Sequence, residues 1–321
     1  MMKKNLTLAS LRFFRVLHTS TLVLHPWFVT PWFVTGFSDA EASFYIKIYA
    51  VNKTNWRVQA IFQIGLHAKD RDLLESIQSF LGGVGVIYKD GEDAVRYQVS
   101  SLDDLAIIIE HFDKYPLITQ KQADFELFKQ VLELVQNKEH LTSEGLRKIV
   151  SIRASINLGL SEALTLAFPN VIPVSRPLIR GKKIENPGWL AGFASGEGCF
   201  SIVTQKSSLY KQGTKVGLRF EIAQHSRDAE LTKSLVDYLG CGGYYKRSSK
   251  DSGCFIVQKF SDFTEKILPF LGKYPILGVK ALDFEDFRQA ADIIKAKGHI
   301  TPEGLEKLLI IKAGMNKGRR V

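Results

Sequence analysis

The chain has 321 residues, 45% apolar and 24% charged, which supports a packed core and excludes wholesale disorder. Three cysteines, Cys199, Cys241 and Cys254, with no C-x-x-C spacing, exclude a disulfide scaffold and a cysteine zinc site. No apolar run reaches the roughly 18 residues of a membrane-spanning helix, and 43 Lys plus Arg against 33 Asp plus Glu give a net charge of +10, which points to a polyanionic partner such as nucleic acid.

Before Asp39 the chain contains no Asp or Glu, but it carries Lys3, Lys4, Arg12 and Arg15 among Leu, Phe, Ser and Thr. This composition fits a mitochondrial presequence, and equally a basic leader or in-frame read-through from an upstream reading frame. Pro26-Trp27-Phe28-Val29-Thr30 is repeated at once as Pro31 to Thr35, and only the second copy continues into Gly36-Phe37-Ser38-Asp39-Ala40-Glu41. Residues 1–28 are therefore expected to be a basic extension outside the fold.

From there the pattern alternates between helix and strand. An apolar helix ends at Glu41. Ser43 to Tyr49 then alternates, with Phe44, Ile46 and Ile48 on one face and Ser43, Tyr45, Lys47 and Tyr49 on the other. Trp56 to Ile64 alternates again, turning Arg57, Gln59 and Gln63 outward. Leu73 to Leu81 reads as a helix stopped by Gly82-Gly83. Val84 to Lys89 and Val95 to Ser100 read as a hairpin around Asp90-Gly91, presenting Lys89, Arg96 and Gln98. Leu102 to Phe112, Lys121 to Asn137 and Leu146 to Asn157 read as helices.

The same order then recurs. Lys114-Tyr115-Pro116 returns as Lys273-Tyr274-Pro275, and Lys121, Asp124, Phe125 and Asn157 return as Lys280, Asp283, Phe284 and Asn316, all at one constant offset. His67 and Asp70 pair with His225 and Asp228, and Glu41 with Glu197. Two repeats are too few for a solenoid, so a fused pseudo-dimer with an approximate twofold axis is expected. The divisions are 1–28 for the extension, 29–165 for the first repeat, 166–186 for a Pro-rich, basic linker and 187–321 for the second repeat. The fold class is α+β. Each unit is αββαββα, with one sheet face covered by helices and one left open.

The open face carries few acids. In the second unit it is expected to present Ser201, Gln205, Lys215, Arg219, Lys246, Arg247, Gln258 and Lys259. Arg, Lys and Gln offer donors to base edges in the major groove, which admits a β-ribbon. The alternative is an ordinary solvated sheet face, which would mix Glu and Asp with Lys.

The helices ending in Glu41 and Glu197 carry small residues at i,i+4: Gly36 with Ala40, and Gly192 with Gly196. That spacing lets two backbones approach closely. If the helices pack along the twofold axis, the two acids emerge side by side. Helix C-termini already carry unpaired carbonyls and partial negative charge. Two carboxylates added there call for a neutralising cation. An all-oxygen donor set suits Mg²⁺, and a metal beside phosphate is the arrangement for phosphodiester hydrolysis.

At these residues the chain resembles the LAGLIDADG homing endonucleases, in the single-chain, two-repeat form encoded by fungal mitochondrial introns, and within them the Ophiostoma and Leptographium ribosomal-intron subgroup. The motif maps onto Val34 to Ala42 and Leu190 to Gly198. The likeness implies a β-saddle on a long, near-asymmetric double-stranded DNA target, cut on both strands by a monomer to leave short 3′ overhangs. It implies two or three Mg²⁺ ions held by Glu41 and Glu197 with the carbonyls of Ala40 and Gly196. It also suggests Gln224 as an amide that holds water, mated to Leu66 in the first half. Lys121 and Lys280 lie where they would serve either catalysis or a tether to DNA or a carbonyl. The expected location is the mitochondrion. An RNA-binding intron maturase and a non-cleaving DNA-binding protein are alternatives on the same fold, and neither needs paired carboxylates. The family places Gly after the first acid, where this chain has Ala42; its methyl is expected to strain a positive φ or to crowd the site.

Overall fold

The computed structural model describes residues 29–52, 55–210, 212–248 and 251–319. The 1–28 extension lies outside the described residues.

In the first half, α1 (Pro31–Glu41) leads into β1 (Ala42–Ala50) and β2 (Trp56–His67), then α2 (Arg71–Phe80), β3 (Val86–Lys89), β4 (Ala94–Val99), α3 (Leu102–Lys114), α4 (Lys121–Gln136) and α5 (Ser143–Arg153). The short α6 (Glu162–Ala167) follows. The second half repeats the order as α7 (Pro187–Glu197), β5 (Gly198–Lys206), β6 (Thr214–His225), α8 (Ala229–Leu239), β7 (Gly243–Arg247) and β8 (Ser252–Val257). Next come α9 (Phe260–Asp262) and α10 (Leu268–Lys273) joined by a π-helical turn, then α11 (Lys280–Lys295) and α12 (Pro302–Gly314). Each half holds one four-stranded antiparallel sheet, ordered β1-β2-β4-β3 and β5-β6-β8-β7.

Local chemistry sets the central helices. Thr30 Oγ1 accepts from Phe33 N–H at 3.2 Å, and Asn186 Oδ1 accepts from Gly188 N–H at 2.8 Å. A proline opens each first turn, where its missing N–H costs nothing. α12 starts the same way: Thr301 Oγ1 accepts from Gly304 N–H at 3.1 Å, with Pro302 behind it.

One phenylalanine anchors each core. Phe44 meets the rings of Phe62, Phe112, Phe125 and Phe128 at 5.2–5.7 Å between centroids. Its repeat mate Phe200 meets Phe220, Phe284 and Phe287 at 4.9–5.4 Å. The halves also exchange residues. Ala191 and Leu277 pack in the first core, and Ile118 packs in the second, with Trp32 against it.

The segment between the halves is partly structured. Phe168, Val171 and Val174 pack on the first core, and Ser151 and Ser155 donate to the Ile172 and Val174 carbonyls, each at 2.5 Å. Arg176 grips Asp124 as Arg319 grips Asp283. These two buried aspartates also accept from the N–H groups of Asn157 and Asn316 at 3.1 and 2.9 Å. Both asparagines sit at positive φ (51° and 54°), so α5 ends before the predicted helix boundary at Asn157.

His111, only 8% exposed, bridges α3 to α1. Thr35 Oγ1 gives its proton to Tyr115 O at 2.8 Å, so the 3.2 Å contact with His111 is an Nε2–H donation to Thr35. Burial lowers the His111 pKa from 6.5 to about 4. The neutral ring therefore contributes its full stability above pH 6.5, and that contribution is lost as the pH falls toward 4. The loss is about 3 kcal/mol. Denaturant unfolding at pH 7 and pH 4.5, compared between the unsubstituted protein and His111→Gln, which keeps a donor but cannot titrate, should isolate this contribution as the difference between the two pH dependences.

Candidate active site and nucleic-acid face

The two central helices touch backbone to backbone. A Cβ at Gly36 would overlap the Trp189 carbonyl, and one at Gly192 would overlap that of Phe33. One at Gly196 would overlap the Ala40 methyl and lie 3.0 Å from Glu41 Oε1. The small-residue faces thus meet as the i,i+4 spacing requires. The buried Asp39 locks the pair, accepting from Trp189 Nε1 at 2.8 Å and Ile118 N–H at 2.9 Å. The last turns of α1 and α7 end side by side with their acids.

Burial holds both carboxyls above the ordinary glutamate range. At Glu41, Lys280 and Lys121 oppose that effect and Asp70 adds to it. At Glu197, a hydrogen bond from Gln224 opposes it and the charge of Glu41 adds to it. Burial lowers the pKa of both lysines, against the pull of the acids. Lys121, the first residue of α4, donates to Ser38 O at 2.9 Å and Ala40 O at 3.2 Å. Lys280, the first residue of α11, donates to Gly196 O.

This donor set fits a hard divalent cation. It offers two carboxylates and two helix-terminal carbonyls, all oxygen, and the carbonyls of Ala40 and Gly196 already accept from cationic groups. Among the described residues no cluster of three His, Cys, Asp or Glu could hold a metal. A cleft of about 820 Å³ opens beside Glu41, lined by Leu66, Asp70, Cys199 and Lys280 among others. Leu66, opposite Val95, occupies the place where the second half has Gln224. The site is therefore chemically asymmetric.

Ala42 departs from the expectation. Its φ is −77° and that of Gly198 is −68°, so neither position needs a left-handed backbone. Ala42 is 4% exposed and belongs to the first core. His67 and His225 are also explained: their Nδ1 atoms accept from Lys69 and Arg227 N–H at 3.2 and 3.1 Å, capping short 3₁₀ turns.

Strand register sorts the predicted sheet-face residues, because paired residues in an antiparallel sheet share a face. Ser43 lies opposite Gln63 and on to Gln98; Lys47 lies opposite Gln59, and Tyr49 opposite Arg57. Tyr45, opposite Ile61, completes β1. Arg96 donates to Gln63 Oε1 at 2.8 Å and pairs with Asp90. In the second half Ser201 lies opposite Arg219, and Gln205 opposite Lys215. Arg219 and Arg247 both grip Glu221 on this face. Gln258 follows β8 directly, in line with the open-face Ile256.

Three expected residues fall elsewhere. Lys89 pairs with the core-facing Val95, and its repeat mate Lys246 pairs with the buried Gly253, so both lie on the helix side. Lys259 lies beyond β8, at the N-cap of α9. Tyr88 and Tyr245 take the open-face places instead, and Tyr88 donates to Gln98 Oε1 at 2.9 Å. The pairing Lys89–Val95 implied by the hairpin would have identified them.

Two pseudo-symmetric halves meet at an acid pair, each with a sheet face that carries Arg, Lys and Gln. The chain belongs to the LAGLIDADG endonuclease family, whose profile matches residues 34–132 and 190–291. It is 41% identical over 287 residues to "Probable intron-encoded endonuclease 3" of Neurospora crassa and 42% identical over 313 residues to "Probable intron-encoded endonuclease 2" of the same fungus. The matches cover 88% and 90% of this chain but 54% and 68% of those proteins, so it spans little more than half the length of the first. The I-SmaMI LAGLIDADG homing endonuclease, solved bound to cleaved DNA, is 48% identical with a TM-score of 0.89, covering 91% of this chain and 99% of that one. I-SmaMI has also been solved on uncleaved DNA in the presence of calcium ions, and with two of its lysines changed to alanine singly and together.

Proposed function

We propose that this protein is a monomeric homing endonuclease that cuts both strands of a long, near-asymmetric DNA site with Mg²⁺, leaving short 3′ overhangs. The observation that carries the reading is the acid pair at adjoining helix ends, each acid beside a half-buried lysine. Glu41 and Glu197 would hold the cations, two or three in number, with the Ala40 and Gly196 carbonyls beside them. Bound there, a divalent cation would supply a lowered pKa for the attacking water and charge stabilisation for the leaving oxygen. Gln224 orients Glu197 and water near it. Lys121 and Lys280 bring positive charge to the scissile phosphates; their separation along the chain equals that of the two lysines replaced in I-SmaMI. Intron-encoded relatives and the acid-free, basic stretch before Asp39 support a mitochondrial origin.

The sheet faces divide the target. Arg57, Gln59 and Arg96 read one half-site, and Arg219, Arg247 and Gln258 read the other. Gln59→Ala should relax base choice within the first half-site only, by about 1–3 kcal/mol. Selection profiles over randomised half-sites measure this; uniform weakening of all sequences would make Gln59 a phosphate anchor.

The deciding experiment offers randomised duplexes with Mg²⁺ and sequences the cut products. A cleaved consensus with 3′ overhangs supports the nuclease. Duplex binding without cleavage supports the non-cleaving DNA-binding reading. Preference for structured RNA over every duplex supports the maturase. Affinity should also fall steeply with salt, through counterions released from phosphates.

A further inference from the structure

Each half of the site is wired to the other. Asp228 lies in the second half, yet its Oδ1 accepts from Gln120 N–H at 2.7 Å, at the start of α4. Asp70 lies in the first half, and its Oδ1 accepts from Val279 N–H at 2.7 Å, at the start of α11. One residue further on in each helix stands the lysine that reaches an acid-bearing helix end. Neither Gln120 nor Val279 caps its helix with its own side chain; the N–H of each of these N-cap residues is instead held by the aspartate from the opposite half.

The crossing is specific in both directions. Lys121, located by Asp228, donates to Ser38 and Ala40 beside Glu41. Lys280, located by Asp70, donates to Gly196 beside Glu197. The close approach of Asp70 also explains Gly278, where a Cβ would lie 2.5 Å from Asp70 Oδ1 and where φ is +75°. The repeat mate of Gly278 is Thr119. That residue instead binds Asp39, at 2.5 Å through its hydroxyl, and accepts from Lys121 N–H at 3.1 Å. The two wirings are thus equivalent in outcome and different in detail.

We propose that Asp70 and Asp228 are reciprocal positioning residues: each sets the catalytic lysine of the opposite half and so links the two strand cuts. The inference rests on the endonuclease reading. Neither aspartate needs to touch DNA. Each fixes the N-terminal turn of the helix that carries the lysine.

The test uses Asp228→Ala, Asp70→Ala and the matching Asn variants of the full chain. The first readout is amide hydrogen exchange. Asp228→Ala should speed exchange of Gln120 and the first turn of α4 by about fivefold and leave α11 unchanged; Asp70→Ala should do the converse at Val279. The second readout is single-turnover cutting of a supercoiled plasmid carrying a duplex selected by the unsubstituted protein. Each Ala variant should accumulate nicked plasmid, and the two should spare opposite strands. The Asn variants keep an acceptor oxygen and should restore both readouts. Exchange that rises only in the substituted half, or equal slowing of both strands in every variant, would overturn the proposal. If no duplex is selected at all, the endonuclease reading fails while the exchange pattern still decides the wiring.

Discussion

Glu41→Gln and Glu197→Gln should each reduce strand cleavage by about 10³-fold or more, with the duplex still bound as tightly or more tightly. Glutamine keeps the shape of the side chain and removes the charge that would hold a divalent cation. It also removes a negative group facing phosphate. The double variant should be little worse than either single one, since on the proposed reading both acids act as one unit. The same substitutions should stabilise the metal-free fold at neutral pH. Burial holds both carboxyls above 4.5, so the folded state keeps its proton where the unfolded state has lost it. Stability then falls as the pH rises from 4.5 toward the folded value, and ionised acids are held at a cost above it. A neutral amide carries no such cost. Melting temperatures at pH 7.5 should therefore rise without metal, and added Ca²⁺ should raise the melting point of the unsubstituted protein but not of the double variant. Cleavage of both strands by Glu41→Gln at the unsubstituted rate would remove the metal assignment.

The repeat made much of this legible. Glu41 and Glu197, Phe44 and Phe200, and Lys121 and Lys280 announce themselves because each occurs twice in the same setting. Alternation in β1 and β2 placed Ser43, Tyr45, Lys47, Arg57, Gln59 and Gln63 on the open face, where register confirms them. Lys89 and Lys246 show the limit. They are basic and near a turn, but in a strand the face depends on parity, and one residue reverses it. Gly85, at a φ of +73°, breaks the pattern before Val86, so the segment from Val84 does not alternate continuously. The crossed contacts of Asp70 and Asp228 were visible only as a repeated pair. Their partners lie 209 and 108 residues away in the other half, a relation set by the packing of the central helices. Ala42 shows a different limit: its backbone angles, not its neighbours in sequence, decide where the methyl points.

Gly36→Val or Gly192→Val should cost about 3 kcal/mol or more and disrupt the active site together with the fold. At both positions the atoms in the way are backbone carbonyls of the opposing helix, which cannot swing aside as a side chain can. The helices must separate, and with them go the Asp39–Trp189 bond and the residues that each half places in the other core. The acids at the helix ends would move apart too. Gly65→Ala is the contrasting case: it lies near the end of β2, and a Cβ there meets nothing within 4 Å, so it should be nearly neutral for stability. Ala42→Gly lies between them. It removes one buried methyl and loosens the backbone, which should cost about 1 kcal/mol without raising the cleavage rate. Denaturant midpoints for the four variants, measured alongside single-turnover cleavage, test the ordering. A stable, active Gly192→Val would show that the two helices can part without loss, and the shared-axis account of the site would then be wrong.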